Sequence, residues 1–144
     1  MEKQWIVIWS DSLITGHKEI DDFHKEILDD VVELYKMIDD SAKFKNEIPK
    51  LTDKIEKNMF IHMDTEISLF KKINMPGWEE HEENHNLYKE EYDFFRDYIL
   101  SPVIRAVFTG ETASKYMRDH FPMFDMKDIP KIVESREEPE TNDN

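Results

Sequence analysis

The feature that most limits what this chain can fold into is the spacing of its apolar residues along runs that almost nothing interrupts. Apolar side chains recur every three or four positions, the repeat of an amphipathic helix, and only three glycines and six prolines punctuate the sequence. The pattern predicts a first helix over residues 19–40, with Ile20, His24, Ile27, Leu28, Val31, Leu34, Tyr35 and Ile38 on one stripe. A second starts near Glu47 with Pro49 in its first turn. It runs through Ile48, Leu51, Ile55, Met59, His62, Glu66 and Leu69 to the turn signal Asn74-Met75-Pro76-Gly77. A third, over residues 77–100, carries His81, His85, Tyr88, Tyr92, Phe95 and Ile99. Ser101-Pro102 reads as an N-cap followed by proline at the first helical position. It opens a fourth helix that ends near Phe121, with a stripe whose shifted phase predicts a break or bend at Thr109-Gly110. Pro122 disrupts regular helix, and Ile129 to Val133 reads as one further turn.

Four helices with short connections predict an all-α fold, an antiparallel up-down-up-down four-helix bundle forming a single domain over residues 1–133. Residues 1–18 read as an extended N-terminal arm, with Trp5, Ile6, Ile8, Trp9 and Leu13 supplying apolar contacts. Residues 134–144 are acidic and polar, a composition that predicts disorder. The chain carries 33 acidic against 19 basic residues, a net charge of -14, which argues against nucleic acid and anionic membrane surfaces as partners. No run approaches the ~20 apolar residues of a membrane span, and no signal-peptide cleavage site follows the first apolar run. The absence of cysteine excludes disulfides, iron–sulfur clusters and thiolate metal sites. A soluble, cytoplasmic protein is expected, and self-repulsion between acidic exteriors favours a monomer.

The polar residues then fall where a core should exclude them. His24, His62, Glu66, His81, His85 and His120 all lie on stripes otherwise made of Ile, Leu, Val, Phe and Tyr. Burying a carboxylate or an imidazole without a partner costs several kcal/mol, and a metal ion is a partner that pays for both kinds of group. His62 and Glu66 are four residues apart, as are His81 and His85, so each pair sits one turn apart on one helical face. His24 and His120 add single donors, and Asp125 follows five residues after His120. One histidine on an apolar face is more often a core residue than a ligand, but five on converging stripes are harder to explain that way. The sixth, His17, precedes the first helix beside Gly16 and reads as a surface residue.

Five imidazoles and two carboxylates exceed the about four ligands of a zinc site. Two metals in one site account for the set more simply. If both carboxylates bridge two octahedral ions together with one solvent oxygen, about eleven of roughly twelve positions are filled and one stays open for a small ligand. Mixed imidazole and carboxylate suits iron, whereas a carboxylate-rich set favours manganese, magnesium or calcium.

The residues also resemble a known family. Trp9-Ser10-Asp11-Ser12-Leu13, Thr15-Gly16 and Ile20-Asp21-Asp22-Phe23-His24-Lys25 look like the N-terminal signature of the bacterial hemerythrins. His62 to Glu66 matches their H-x-x-x-E, His81 to His85 after Pro76 their H-x-x-x-H, and His120 to Asp125 their H-x-x-x-x-D. The resemblance runs from Trp9 to Asp125. It implies a bundle around two non-haem iron ions (Fe2+/Fe3+) with a bridging oxo or hydroxo group, binding O2 reversibly. His81, His85 and His120 would hold one iron, His24 and His62 the other, which keeps the open position, and Glu66 and Asp125 would bridge the two. The chain departs from the family pattern around the oxygen pocket: Met117 stands where leucine is usual, Tyr116 where tryptophan is common, and Phe121 where isoleucine is common. Pro122 fits between His120 and Asp125 only if the helix has ended or distorted there.

Two ferrous ions against two carboxylates and one hydroxide leave about one net positive charge in a dry pocket. The oxidases of di-iron chemistry use more carboxylate, so a histidine-rich set suits reversible binding of O2, or of another small diatomic or anionic ligand, better than oxygen activation. The sequence therefore points to a binding protein rather than an enzyme. The alternatives are an oxygen or redox sensor acting through a separate partner protein, a peroxide or nitric oxide enzyme needing a proton donor near the site, and an iron reserve. Tyr116, Tyr88 and Tyr92 are the nearest candidate donors, and all three read better as bundle core.

Overall fold

A computed structural model describes residues 9–137. Within them the fold is all-helical. A short 3-10 turn, Asp11–Leu13, leads into α1, Lys18–Asp39, followed by α2, Glu47–Lys72, α3, Trp78–Arg96, and α4, Pro102–Lys115. α4 passes without a gap into a π-helical stretch, Tyr116–Asp125, and then into α5, Met126–Glu137. Helices α1 to α4 pack on one another as a helical bundle, with α2 touching all three others.

The helix starts follow from local chemistry. Gly16 takes φ +95, a conformation that side chains disfavour, and the Asp21 carboxylate accepts hydrogen bonds from Thr15 N at 2.9 Å, Thr15 Oγ1 at 2.6 Å and Gly16 N at 3.2 Å. That knot holds the chain ahead of α1. The cap itself is His17, whose Nδ1 accepts from the Ile20 amide at 3.3 Å and whose ring is 1 % exposed. His17 is therefore a buried capping residue, not the surface residue its position suggested. Ser101 caps α4 through a hydrogen bond from the Ile104 amide, with Pro102 at the first helical position, as the sequence predicts.

α4 does not break at Thr109-Gly110. It runs straight through, and the glycine is there for a neighbour: a Cβ at Gly110 would lie 2.5 Å from the Tyr35 hydroxyl oxygen and 2.9 Å from its ring carbon. The shifted stripe reflects this close approach of α1 to α4. The end of the chain also differs from expectation. α5 spans 12 residues rather than one turn and includes Pro130, and it continues through residues 134–137, which composition had assigned to a disordered tail. Ile129 and Ile132 supply buried contacts that residue composition alone does not register. At the other end, Trp9 and Leu13 pack against the core. Trp5, Ile6 and Ile8 of the expected arm, and residues 138–144 of the expected tail, lie outside the described residues.

The core has two parts. The larger joins Ile27, Leu28, Val31 and Leu34 of α1 to Ile55, Met59 and Met63 of α2 and to Tyr116, Met117 and Phe121. The smaller joins Ile20, Ile67, Phe70, Met75, Ile129 and Ile132. Each fully buried side chain of this kind contributes about 1.5–3 kcal/mol. Along α1, α2 and the last segment, His24, Glu66 and Asp125 fall between residues of one cluster and residues of the other, so polar side chains lie where the two apolar regions meet.

A second polar cluster ties α2, α3 and α4 together elsewhere. Glu56 accepts from the Tyr92 hydroxyl at 3.1 Å and from Arg105 at 2.7 Å through Oε2, and from Arg96 through Oε1. The Tyr92 hydroxyl also meets Thr109 Oγ1 at 2.9 Å. Among the described residues, no helix is long and apolar enough to cross a membrane.

Candidate metal centre

Four segments bring the seven residues singled out by sequence into one volume. α1 supplies His24, α2 supplies His62 and Glu66, α3 supplies His81 and His85, and the π-helical stretch supplies His120 and Asp125. None of the seven is more than 1 % exposed. Their donor atoms form two overlapping groups, Glu66, His81, His85, His120 and Asp125 in one and His24, His62, Glu66 and Asp125 in the other, each with all donor atoms within 4.8 Å of one another. The two carboxylates belong to both groups.

The π-helical stretch explains how His120 and Asp125 share a face. Five residues apart on an α-helix they would point in different directions, but a π-helix closes its hydrogen bonds one residue further along and brings positions five apart together. His120 Nε2 and Asp125 Oδ1 are 2.9 Å apart. The same wide turn accommodates Pro122, which has no amide hydrogen to give and whose ring would clash with the preceding turn of an α-helix. The proline leaves Asp125 in the site rather than tilting it away.

Like groups crowd together at hydrogen-bonding range. His24 Nε2 and His62 Nε2 are 3.0 Å apart, and His120 Nε2 lies 3.1 Å from both His81 Nε2 and His85 Nε2. Asp125 is 3.0 Å from His81 Nε2 and 3.2 Å from His24 Nε2, while Glu66 is 3.4 Å from His62 Nε2. Both Glu66 oxygens and Asp125 Oδ2 are buried with no hydrogen-bond partner. Nitrogens and carboxylate oxygens turned toward one centre, with three of the four carboxylate oxygens lacking a hydrogen bond, leave room in the electrostatic account for cations.

The protonation preferences of three of the imidazoles agree. Burial holds His62, His85 and His120 below the usual imidazole value, with neighbouring imidazoles adding to the effect. Neutral imidazole is the form that ligates a metal. Burial, reinforced by Asp125, raises Glu66 well above the ordinary carboxylate range. Burial acts the same way on Asp125, but His120, His24 and His81 outweigh it and hold that carboxylate ionised. His81 is the exception among the imidazoles: burial lowers it, and hydrogen bonds to Asp125 and Asp128 more than reverse this.

Sequence reasoning missed the groups that hold these rings from behind. His81 Nδ1 lies 2.9 Å from Asp128 Oδ2, and His120 Nδ1 is hydrogen-bonded to Asn84 Oδ1. Such outer partners fix ring orientation and strengthen the donor on the far nitrogen. Asp128 is 2 % exposed and sits three residues after Asp125. Its spacing would have singled it out had helix been expected past Pro122. Asn84 lies three residues after His81, at the edge of the face that His81 and His85 share, where a lone asparagine carries no metal-ligand signal.

The three residues expected around a small-ligand pocket are all buried: Tyr116 is 1 %, Met117 2 % and Phe121 2 % exposed. Phe121 meets the His24 ring edge-on at 5.2 Å. Tyr116 is more than bundle core. Its ring stacks on His120 at 4.3 Å, and its hydroxyl lies 3.1 Å from His85 Nε2 and 3.3 Å from His62 Nε2. Tyr92, by contrast, places its hydroxyl in the Glu56 cluster.

No known family model, no curated protein and no solved structure matches the chain.

Proposed function

We propose that this protein binds O2 reversibly at a non-haem di-iron centre within an antiparallel, hemerythrin-like bundle, acting as a store, carrier or buffer rather than as an enzyme. The observation that carries this reading is the sharing of Glu66 and Asp125 between two groups of buried donors. One group adds three imidazoles and the other adds two, a difference that leaves the His24–His62 side one donor short and therefore open to an added ligand. Imidazole and carboxylate together suit iron, and the sequence resemblance to bacterial hemerythrins points the same way. Two ferrous ions in such a site provide a redox-active place for one O2 molecule to attach and leave.

The residues of this chain have separable roles in that scheme. His81, His85 and His120 would hold one iron and His24 and His62 the other, with Glu66 and Asp125, which belong to both donor groups, shared between them. Asp128 and Asn84 keep the His81 and His120 rings aimed inward. The two apolar clusters keep bulk water from these side chains, so that charge among them is neutralised by donors and not by solvent.

Metal analysis of the purified protein is expected to give about two irons per chain. A reduced, anaerobic sample exposed to O2 is expected to develop a charge-transfer absorption that disappears when O2 is removed. Zinc in place of iron, or a protein that holds no metal, overturns the reading, and irreversible oxidation on first exposure to O2 favours sensing or redox turnover instead.

A further inference from the structure

We infer that the Tyr116 hydroxyl is a hydrogen-bond donor to the small ligand this centre takes up, and that it tunes the site toward ligands that carry negative charge when bound. The inference rests on the di-iron reading above and adds to it a polar contact in an otherwise apolar pocket.

The argument starts from the partners of the hydroxyl. Its oxygen lies 3.3 Å from His62 Nε2, in the two-imidazole group, and 3.1 Å from His85 Nε2, in the three-imidazole group. It therefore faces both halves of the centre at once. Each of those nitrogens has a single lone pair. Once His62 and His85 give these lone pairs to metal, neither can accept a hydrogen bond from the phenol. The Asp125 and Glu66 carboxylates are the other charged groups acting on it, and both are shared between the two donor groups.

The hydroxyl cannot turn away to find water. The ring is 1 % exposed, stacked on His120 at 4.3 Å with an interplanar angle of 18°, and held at its edge by Tyr88 at 5.2 Å. A buried O–H without an acceptor is unfavourable. A ligand that arrives beside the His62 side with a lone pair or a negative charge restores the missing acceptor, so the hydroxyl favours the occupied state over the empty one. Hydrogen bonds to charged acceptors are the stronger kind, which is why the preference is for ligands that are anionic or become so on binding.

Azide serves as the probe, added to the oxidised di-iron protein and followed by its charge-transfer absorption. Tyr116→Phe keeps the ring and removes only the donor. The expected result is two irons per chain as in the parent, unchanged helical circular dichroism, and azide affinity lower by about tenfold. The infrared stretch of bound azide is expected to shift between H2O and D2O in the parent and not in Tyr116→Phe, a signature that altered packing alone would not produce. Unchanged azide affinity with no D2O shift in the parent overturns the inference while leaving the di-iron reading intact. A phenolate-to-iron absorption in the parent without azide, absent from the variant, also overturns it, because the oxygen is then a metal ligand and not a donor. A parent protein that takes up no iron overturns both.

Discussion

Two polar clusters sit in this bundle, one half-buried around Glu56 and one fully buried around Glu66, and they are built on opposite principles. At Glu56 a carboxylate faces two guanidinium groups and a phenol, so each carboxylate oxygen has a charged partner within the protein. At Glu66 a carboxylate of the same residue type, on the same helix ten residues later, faces imidazoles that burial keeps neutral, and neither of its oxygens has a hydrogen-bond partner. The first cluster is a structural clamp between α2, α3 and α4. The second resembles half of a complex, and its deficit has the sign and the geometry that cations supply. Burial of polar residues is thus not in itself a functional signal; what separates the two is whether the protein's own groups complete them.

The contrast is most strongly tested by exchanging the two carboxylates for neutral groups. Glu66→Gln is expected to lose most of the bound metal, and with it the roughly 3–4 kcal/mol that a ligand present at hundreds to a thousand times its dissociation constant adds to stability. In a chelator-treated sample most of that cost should vanish, because burial raises Glu66 well above the ordinary carboxylate range and the amide then replaces a neutral acid. Urea unfolding of both forms with and without metal checks this, and a variant destabilised as much without metal as with it would erase the distinction between the clusters. Glu56→Gln is expected to behave in the complementary way. It should cost about 2 kcal/mol by weakening charge-assisted hydrogen bonds and leave the metal content unchanged, as unfolding curves and metal analysis on the same sample would show.

Smaller changes sharpen the picture at the edge of the candidate centre. Asp128→Asn removes the carboxylate behind His81 and is expected to lower metal affinity by about tenfold, measured by competition with a chelator of known affinity. Met117→Leu is a volume-conserving exchange expected to change stability by less than about 1.5 kcal/mol. Replacing the flexible thioether beside Tyr116 and Phe121 should slow autoxidation of the oxygenated protein, followed as the decay of its visible absorption; an equal or faster decay counts against a role for the methionine.

The helices and six of the seven inward donors were legible in the sequence for one reason, while Asp125 stood out only by its spacing after His120. The stripe that makes a helix bury one face also marks any polar residue that lies on it, so His24, His62, Glu66, His81, His85 and His120 stood out against their apolar neighbours. What escaped was whatever depends on a partner from another element or on an unusual backbone. Gly110 looked like a helix breaker because its role, clearing space for the Tyr35 ring, belongs to a different helix. His17 looked exposed because capping uses a ring nitrogen that a hydropathy pattern does not weigh. Asp128 was hidden behind Pro122, which a reading based on α-helical rules treats as an end, whereas wide turns carry the chain on into α5.

Those wide turns have a kinetic consequence. With all seven donors at most 1 % exposed, no ion reaches or leaves them while the backbone stays closed. For a protein that binds metal as proposed, loading and release would therefore be timed by local opening of the fold and not by diffusion to a surface. The stretch from Tyr116 to Asp125, which carries two of the donors and includes a proline that gives no amide hydrogen to its ladder, is where such opening disrupts the least regular hydrogen bonding. A segment shaped to align these donors would then also set how long a captured ion stays.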